Sequence, residues 1–342
     1  MSNTPKLSWA NNLRAAATLG VIFIHASSYL TGSLGKIPQN DWVISIIINT
    51  AVRWSVPVFV MLTGSFVLGN YNDKIGDFLR KALNKIIVPF LIWSVFYLLH
   101  NNWDDLLGNR LSLSQKGGLV LENAISGSAV HLWYIYMIIG MYFIIPIFSK
   151  WTKYANKKEL TLFLVFWFFL LVAYPLIDKY RTDFELNYFT GYIGYLIGGY
   201  YFFKFVQLNK IILWTLLLGS IAAISFATYH LAFQNNVDKE IYLAPLTPGV
   251  FLMSMSVYLL FKQSNIALPN WLNVVVNQIC NYSYGIYLVH LVVLAWIDDL
   301  LISATAFNPL ISLPLMSLLC LAFSYLIIFV LRKIPFIGNW VG

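Results

Sequence analysis

The sequence predicts an all-α, polytopic membrane protein with about ten transmembrane helices and both termini in the cytoplasm. Three observations lead to this class. Of the 342 residues, 59% are hydrophobic and 11% are charged, and the mean hydropathy is +0.71, values far outside those of soluble globular domains. Apolar runs of roughly 20 residues, long enough to cross a hydrocarbon core about 30 Å thick, recur along the chain. Basic residues also cluster at alternate ends of those runs.

Ten spans follow from the apolar runs, and together they form one predicted membrane domain over residues 1–342. The runs are apolar on every face, as in TLFLVFWFFLLVAYPL, and lack the alternating pattern of an outer-membrane barrel. The first run is too long for a cleavable signal peptide and contains Arg14, so we expect it to stay as the first helix. The predicted spans are 7–30, 42–69, 79–100, 131–149, 160–177, 187–206, 210–231, 242–261, 277–302 and 309–331.

The loop charges orient this multi-pass protein in a cell (inner) membrane. With ten spans, one side holds 14 basic and three acidic residues, and the other holds six basic and 11 acidic ones. Lys and Arg beside membrane spans stay in the cytoplasm, so we expect both termini there. The net charge of +8 is therefore a topology signal, and no nucleic-acid partner is expected.

The first span carries two residues that are costly in a bilayer, Arg14 and His25. They lie 11 positions apart, which on an α-helix is about three turns and about 16 Å along one face. Asn11, Thr18 and Ser28 share that face, so we expect a polar stripe toward the protein interior. Intramembrane charges usually face a cavity or a partner. The alternatives are an arginine that extends to cytoplasmic water and a histidine satisfied within the core.

The second span places Arg53 in mid-membrane, with Asn49 one turn before it and Pro57 one turn after it. Proline removes a backbone hydrogen bond, and the freed carbonyl is tolerated in lipid only where protein or water covers it. A polar cavity beside Arg53 is therefore predicted. A kinked packing helix with Arg53 held by backbone carbonyls is the alternative.

Two later spans contribute further polar residues. The fourth opens at the outer boundary with His131 and Tyr134, and the ninth carries Tyr284, Tyr287 and His290 at helical spacing. These five are candidate substrate-binding residues. Aromatic belts are common at membrane interfaces, so an interfacial position without a role is the alternative for each histidine.

Two segments suggest packing or access rather than catalysis. Gly194 and Gly198 in the sixth span have the small-residue spacing that lets transmembrane helices pack closely. The longest connection, 101–130 on the outer side, is a candidate lid or acceptor-binding segment, with an interfacial connector as the alternative.

Several enzyme and transporter classes lack support in the sequence. It contains no Walker-type phosphate loop, G-x-S-x-G elbow, H-E-x-x-H motif or Cys/His metal cluster, so no metal is expected. No Asp or Glu lies deep in any predicted span, although ion-coupled transporters commonly place a carboxylate near the midplane. An ion-driven pump is therefore disfavoured.

Four motifs together resemble the acyltransferase-3 family of integral membrane O-acyltransferases. Arg14 is followed after ten residues by His25 in the first span, and the second span carries RWSVPVFVMLTGSF at 53–66. HLWYI follows at 131–135 and SYGIYLVH at 283–290. The likeness covers nearly the whole chain as one acyltransferase-3 type domain. Within the family, the chain looks most like the enterobacterial common antigen O-acetyltransferase group.

The resemblance implies transfer of an acyl group, usually acetyl from cytoplasmic acetyl-CoA, to a hydroxyl of a cell-envelope glycan or lipid-linked sugar. Such an enzyme is an acyl-CoA-dependent O-acyltransferase, transferring groups other than aminoacyl, with donor, acceptor and membrane lipid as partners. By the same resemblance His25 is catalytic, as a base or a transient acyl carrier, and Arg14 is its companion. No acidic partner for His25 is visible, and Asn49, Tyr284 and Asp41 are candidates to orient its ring.

Basic residues are expected to hold the donor. Arg14 or Arg53 is a candidate to bind a CoA phosphate or to stabilise the oxyanion, and Arg53 also counts among the candidate substrate-binding residues. Arg80, Lys81 and Lys85 at the inner mouth are candidates to bind the CoA nucleotide, with a purely topological role as the alternative. A transporter or flippase of glycans or lipid-linked sugars, without acyl transfer, is the competing hypothesis, and a structural subunit of an envelope complex is a weaker one.

Overall fold

The computed structural model describes residues 8–70, 74–108, 110–177, 187–233, 241–264, 268–335, 337–338 and 340–342, without the side chains of 174–177 and 187–190. Every regular element in these residues is helical, which confirms the all-α class. The α-helices are α1 Ser8–Thr31, α2 Gln39–Ala51, α3 Ser55–Val67, α4 Ile75–Asn101, α5 Trp103–Leu107, α6 Leu113–Ser126, α7 Trp133–Tyr154, α8 Lys157–Ile177, α9 Asn187–Phe205, α10 Lys210–Ala232, α11 Pro248–Lys262, α12 Asn270–Leu300 and α13 Pro309–Leu331.

Eight segments of the described residues are long and apolar enough to cross a membrane, so the chain is a multi-pass membrane protein. Six contain α1, α4, α7, α10, α12 and α13, one joins α2 and α3, and one contains α11. α8 and α9 lie at the other two predicted positions, 160–177 and 187–206. The total of ten spans and the cytoplasmic termini stay predictions. Some charges behind that orientation lie outside the described residues, in 1–7, 71–73, 178–186 and 234–240.

The second predicted span is continuous in sequence but forms two helices. α2 ends at Ala51 and α3 begins at Ser55, with Arg53 in the turn between them. Pro57 has no N–H to donate to the Arg53 carbonyl, which favours a break here. The backbone N–H and hydroxyl of Ser55 both donate to the Val52 carbonyl, at 3.0 and 2.7 Å, and so satisfy a carbonyl at the break. The second predicted span is therefore fully broken, at the turn that carries Arg53.

α1 lies at the centre of the bundle, where it packs against α2, α3, α11, α12 and α13. Its N-terminal half contributes Leu13 and Ala17 to one apolar core, and its C-terminal half contributes Ile22, Ala26 and Leu30 to a second. A helix surrounded in this way has little surface left for lipid. Of the polar stripe predicted on α1, Thr18 is buried and Ser28 is exposed, so the inward orientation holds over only part of the helix.

Glycines allow the close approach of α3 and α9. A Cβ at Gly64 or Gly199 would collide with a main-chain carbonyl of the opposite helix. Gly194 lies against the Trp167 indole with similarly little room, whereas Gly198 has space for a Cβ. The small-residue packing predicted for this helix is present at Gly194, and Gly199 rather than Gly198 makes the close approach to α3.

The connection 101–130 contains the short helices α5 and α6. Ser112 caps α6, because its hydroxyl accepts from the Gln115 N–H while the Gln115 side chain accepts from the Ser112 N–H. The Tyr136 hydroxyl of α7 donates to the Ala124 carbonyl at 2.8 Å and ties α6 to the bundle. Most large apolar side chains of α6 stay exposed. The connection is thus an ordered helical segment on the surface of the bundle.

Candidate active site

A cavity of about 410 Å³ lies among α1, α3, α4, α7 and α12, beside the break between α2 and α3. Small-molecule sites in proteins commonly have volumes of about 300 to 1,000 Å³, so this cavity has the size of a substrate site. No described residue of the connection 101–130 lines it, which favours a connector over a lid. Seven of the residues singled out in sequence line the cavity, namely Arg14, His25, Arg53, His131, Tyr134, Tyr284 and Tyr287.

Arg14 marks the inner end of the polar stripe on α1. Its Nη1 approaches the Cys280 sulfur of α12 at 3.8 Å. One turn earlier, Asn11 Nδ2 donates to Asn277 Oδ1 at 3.0 Å, and the Cys280 thiol donates to Asn11 Oδ1 at 3.5 Å. Sulfur is a weak acceptor, so the contact with Cys280 leaves most of the hydrogen-bonding capacity of the guanidinium for a ligand.

Arg53 reaches the same cavity from the turn between α2 and α3. Its Nε donates to Asn49 Oδ1 at 2.6 Å. The buried Asn49 amide donates in turn to the Ile24 carbonyl at 3.1 Å and to Ser27 Oγ at 2.8 Å, both on α1. Ile24 directly precedes His25. A single amide therefore links the mid-membrane guanidinium to the turn of α1 that carries the histidine.

Three histidines from three separate helical segments meet beside the C-terminal half of α1. The His290 ring lies 5.1 Å from the His25 ring and 5.1 Å from the His131 ring, measured between centroids, and the His25 and His131 rings are 6.5 Å apart. His131 and His290 are 1% and 0% exposed, whereas His25 is partly exposed and lines the cavity. Among the described residues, no group of His, Cys, Asp and Glu is arranged to hold a metal.

In each of the two buried histidines, His131 and His290, one ring nitrogen forms a hydrogen bond with a main-chain carbonyl of α12. His290 Nδ1 lies 2.5 Å from the Tyr287 carbonyl oxygen, and His131 Nε2 lies 3.3 Å from that of Leu288. A carbonyl only accepts, so each of these nitrogens carries the proton. The remaining nitrogens, His290 Nε2 and His131 Nδ1, are buried without a hydrogen-bond partner in the described part of the chain. Two lone pairs are thus held beside His25.

Tyrosines fix this arrangement and form much of the cavity wall. The Tyr287 hydroxyl donates to the His131 carbonyl, and the buried Tyr97 hydroxyl donates to the Leu288 carbonyl at 2.9 Å. The Tyr134 and Tyr287 rings lie 5.6 Å apart along the wall. These contacts lock the start of α7 onto α12 and so hold the histidines in place.

None of the candidates to orient His25 hydrogen bonds to its ring among the described residues. The Asn49 amide is committed to Arg53 and α1, and the Tyr284 hydroxyl donates to the Ile86 carbonyl at 2.7 Å. Asp41 lies in the first turn of α2. The nearest polar ring to His25 is that of His290, which belongs to another span.

Four of the predicted site residues do not line the cavity. His290 lies behind His25, in the buried layer described above. Arg80, Lys81 and Lys85 are exposed on α4, although Ile86, the residue after Lys85, is part of the cavity wall. The basic cluster therefore lies beside the cavity rather than inside it.

The cavity also contains polar residues that the sequence argument missed, Tyr142 and Thr63. Tyr134, Ile138 and Tyr142 follow one another at intervals of four and line one face of α7. Extending a helical stripe from Tyr134 would have found Tyr142. Thr63 similarly follows Phe59 by one turn on α3.

The chain matches the family model of the acyltransferase domain, acyltransferase-3, over residues 7–329. The chain therefore belongs to the acyltransferase-3 family, which makes it a multi-pass membrane acyltransferase that takes an acyl donor and an acceptor. Neither the comparison with curated proteins nor that with solved structures finds a match. The family match covers all four sequence motifs and confirms the resemblance at the level of the family.

Proposed function

We propose that this acyltransferase transfers acetyl from cytoplasmic acetyl-CoA to a hydroxyl of a cell-envelope glycan or lipid-linked sugar. The observation that carries the proposal is the single cavity shared by His25, Arg53 and Arg14. An imidazole that takes a proton and guanidiniums that bind negative charge are the groups that acyl transfer to an alcohol requires. The resemblance to the enterobacterial common antigen group supports the acceptor class, and the loop charges support the inner membrane as the location.

In a direct route, His25 removes the proton of the acceptor hydroxyl as its oxygen attacks the thioester carbonyl carbon. Arg53, on the same cavity wall, stabilises the tetrahedral oxyanion. Collapse of this intermediate breaks the carbon–sulfur bond, and the imidazolium returns its proton to the CoA thiolate. The products are the acetyl ester and CoA with a free thiol.

An acyl-histidine route uses the same groups in another order. The unprotonated nitrogen of His25 attacks the thioester, and CoA leaves as the thiolate. The acceptor hydroxyl then attacks the acyl carbon, and the bond between that carbon and the His25 nitrogen breaks. The hydroxyl proton passes to the CoA thiolate, so the products are the ester, CoA with a free thiol and neutral His25. In both routes the pantetheine arm of CoA extends along α1 from the level of Arg14 to His25, about 16 Å.

The donor is held at the inner end of the cavity. Arg14 lines that end, and its planar guanidinium is suited to phosphate and carbonyl oxygens. Arg80, Lys81 and Lys85 are exposed on α4 next to the cavity wall, where they attract the anionic CoA nucleotide. On the predicted topology, both groups lie on the cytoplasmic side, where acetyl-CoA is available.

The acceptor occupies the outer, aromatic part of the cavity. His131 lies beside His25, and the Tyr287 and Tyr134 rings continue the cavity wall from His131. Tyr284 lines the wall farther along α12, toward Ile86. Binding sites commonly combine apolar and aromatic walls with a few fixed polar groups that orient the ligand. In this arrangement one hydroxyl of the acceptor is presented to His25.

Purified protein with radiolabelled acetyl-CoA and a glycolipid extract tests this function. We expect CoA release and label transfer by the natural chain, and a loss of about 10²- to 10⁴-fold in His25→Ala, the usual contribution of a general base. His100→Ala is the control, because His100 is an exposed histidine at the end of α4. Full activity in His25→Ala would contradict the proposed role.

The acceptor is identified by mass spectrometry of envelope glycans from cells with and without the gene. Acetyl esters should disappear from one glycan in the deletion strain and return with the natural chain, but not with His25→Ala. A transporter or flippase is not favoured by the family match. Movement of a glycan across the membrane without release of CoA would nevertheless support it over the enzyme.

A further inference from the structure

The buried pair His131 and His290 is not explained by substrate binding alone. His290 does not line the cavity and is fully buried, so it cannot touch a ligand there without rearrangement. A buried polar nitrogen without a partner is uncommon and costs about 1 to 3 kcal/mol. His290 carries such a nitrogen, Nε2, in a ring 5.1 Å from that of His25.

The protonation state of His290 is fixed by its neighbours on α12. Its Nδ1 donates to the Tyr287 carbonyl, so in the neutral ring Nε2 presents a lone pair. The side chain can therefore accept a hydrogen bond at Nε2. The His25 and His131 rings both lie 5.1 Å from the His290 ring. The neutral His131 ring carries its proton on Nε2, which faces the Leu288 carbonyl. Of these two imidazoles, only His25 therefore has an N–H left to donate to His290.

We propose that His290 is the positioning residue of His25: its buried Nε2 accepts the N–H of the His25 ring, so that the other nitrogen of His25 faces the cavity with a free lone pair. This inference rests on the proposed function, in which His25 acts as base or acyl carrier. It assigns to a second histidine the orienting role that a carboxylate has in many catalytic triads. Catalytic hydrogen bonds are often long in ligand-free structures and tighten when substrate binds.

The proton balance of the step is simple. Before attack, His25 carries one proton, on the nitrogen directed at His290. When His25 takes the hydroxyl proton of the acceptor it becomes an imidazolium with two N–H groups, and the inner one stays hydrogen bonded to His290. When the outer proton passes to the CoA thiolate, the original tautomer is restored, and His290 keeps its own Nδ1 proton throughout.

His131 is the less suitable partner for His25. Its ring is 6.5 Å from the His25 ring, against 5.1 Å for His290, and it lines the cavity. Its unpartnered Nδ1 is as buried as Nε2 of His290, and its ring lies farther from the His25 ring.

Steady-state kinetics of His290→Leu and His290→Gln test the positioning role. Leu has a similar volume but no acceptor, whereas the Gln side-chain oxygen retains one near the position of Nε2. We expect kcat to fall about 10- to 100-fold in His290→Leu, less than the full contribution of a general base. The KM for acetyl-CoA should stay within about twofold, because the donor is held elsewhere. His290→Gln should recover most of kcat, and His100→Leu should match the natural chain.

The proposal is overturned if His290→Leu folds and retains the natural kcat, or if His290→Gln is as impaired as His290→Leu. Should His290→Leu not fold, nitrogen NMR of the histidine-labelled natural chain with CoA and the glycolipid acceptor bound decides. A coupling across an N–H···N bond between His25 and His290 is then expected, and its absence refutes the proposal. His25→Ala is assayed in parallel. An active His25→Ala contradicts the proposed function itself, whereas an inactive His25→Ala with a fully active His290→Leu contradicts only the positioning role.

Discussion

The two ends of the polar stripe on α1 are built differently. At the inner end, the Arg14 guanidinium meets the Cys280 sulfur at 3.8 Å. At the outer end, His25 lies against two buried imidazoles, His131 and His290, each with one nitrogen bound to a backbone carbonyl and one unpartnered. The inner end thus offers hydrogen-bond donors, and the outer end offers lone pairs.

This difference fits a division of tasks within one cavity. A guanidinium has five N–H donors, no acceptor and a permanent charge, so it binds anions and cannot act as a base. A neutral imidazole both donates and accepts, and it exchanges protons near neutral pH. We infer that the inner end holds the donor and the outer end performs the proton transfer. The following substitutions test whether the two ends can be separated.

The largest effect of this set is expected at Arg53, which faces the cavity from the break between α2 and α3. Arg53→Leu should lower kcat by about 10²- to 10³-fold, the cost of removing one oxyanion donor. The kcat of Arg53→Lys should lie between those of the natural chain and Arg53→Leu, because Lys keeps the positive charge but lacks the planar pair of N–H donors. Rates of CoA release under saturating acetyl-CoA measure this. A change confined to KM would instead assign Arg53 to ground-state binding.

Substitution of Arg14 should weaken binding of the acetyl donor rather than slow the chemical step. Arg14→Leu is expected to raise the KM for acetyl-CoA about 10- to 100-fold, the equivalent of losing one charge-assisted hydrogen bond of about 1.5 to 3 kcal/mol. The kcat should change much less. Cys280→Ala is the matched control, since it removes the sulfur contact and leaves the guanidinium. If Arg14→Leu lowered kcat alone, the division between the two ends would be wrong.

Asn49 should have a smaller effect, because it acts through Arg53. Asn49→Leu removes the acceptor for Arg53 Nε and both bonds to α1, so kcat should fall about tenfold and stability by about 1 to 3 kcal/mol. Kinetics measure the loss of kcat, and thermal unfolding of the same variant measures the loss of stability. In an Arg53→Leu background, Asn49→Leu should lower kcat little further, and full additivity would argue against coupling.

The smallest effect is expected for the basic cluster on α4. Replacing Arg80, Lys81 and Lys85 together by Gln should raise the KM for acetyl-CoA about two- to fivefold at low ionic strength. Exposed charges act over about one Debye length, so the difference should disappear near 1 M salt. Lys157 and Lys158, replaced by Gln, serve as a control pair at the start of another helix. A raised KM that does not change with salt would instead indicate a direct contact with acetyl-CoA or an altered membrane orientation of the variant.

Sequence patterns predict the helices, and they place Arg14 and His25 on one face of α1, for a physical reason. In lipid, the backbone N–H and C=O groups must form their hydrogen bonds within helices. A long apolar run therefore indicates a helical span, and hydropathy alone locates it. The 3.6-residue repeat then places Arg14 and His25 on one face, as their shared cavity requires. Pro57 indicated a disturbed second span, but its extent could not be predicted. The same proline in the sequence is compatible with a kink and with a full break. Which of the two forms depends on how neighbouring groups hydrogen bond to the freed carbonyls.

The partners of His25 could not be predicted from the sequence. His290 is far from His25 in the chain, and nothing in either segment indicates that α1 and α12 pack with these turns opposed. His131 and His290 were recognised separately as candidates, without any sign that they meet. Asn49 was considered for orienting His25, whereas its amide binds Arg53. Contacts between helices depend on side-chain packing across the bundle, which single-helix periodicity does not contain.

A cryo-EM structure of His25→Ala with bound acetyl-CoA tests the division of the cavity most directly, because the variant should bind the donor without consuming it. We predict the pantetheine arm inside the cavity, passing Arg14, with the thioester carbonyl next to Arg53 and the vacated position 25. Acetyl-CoA bound outside this cavity, or with its thioester remote from position 25, would contradict the account.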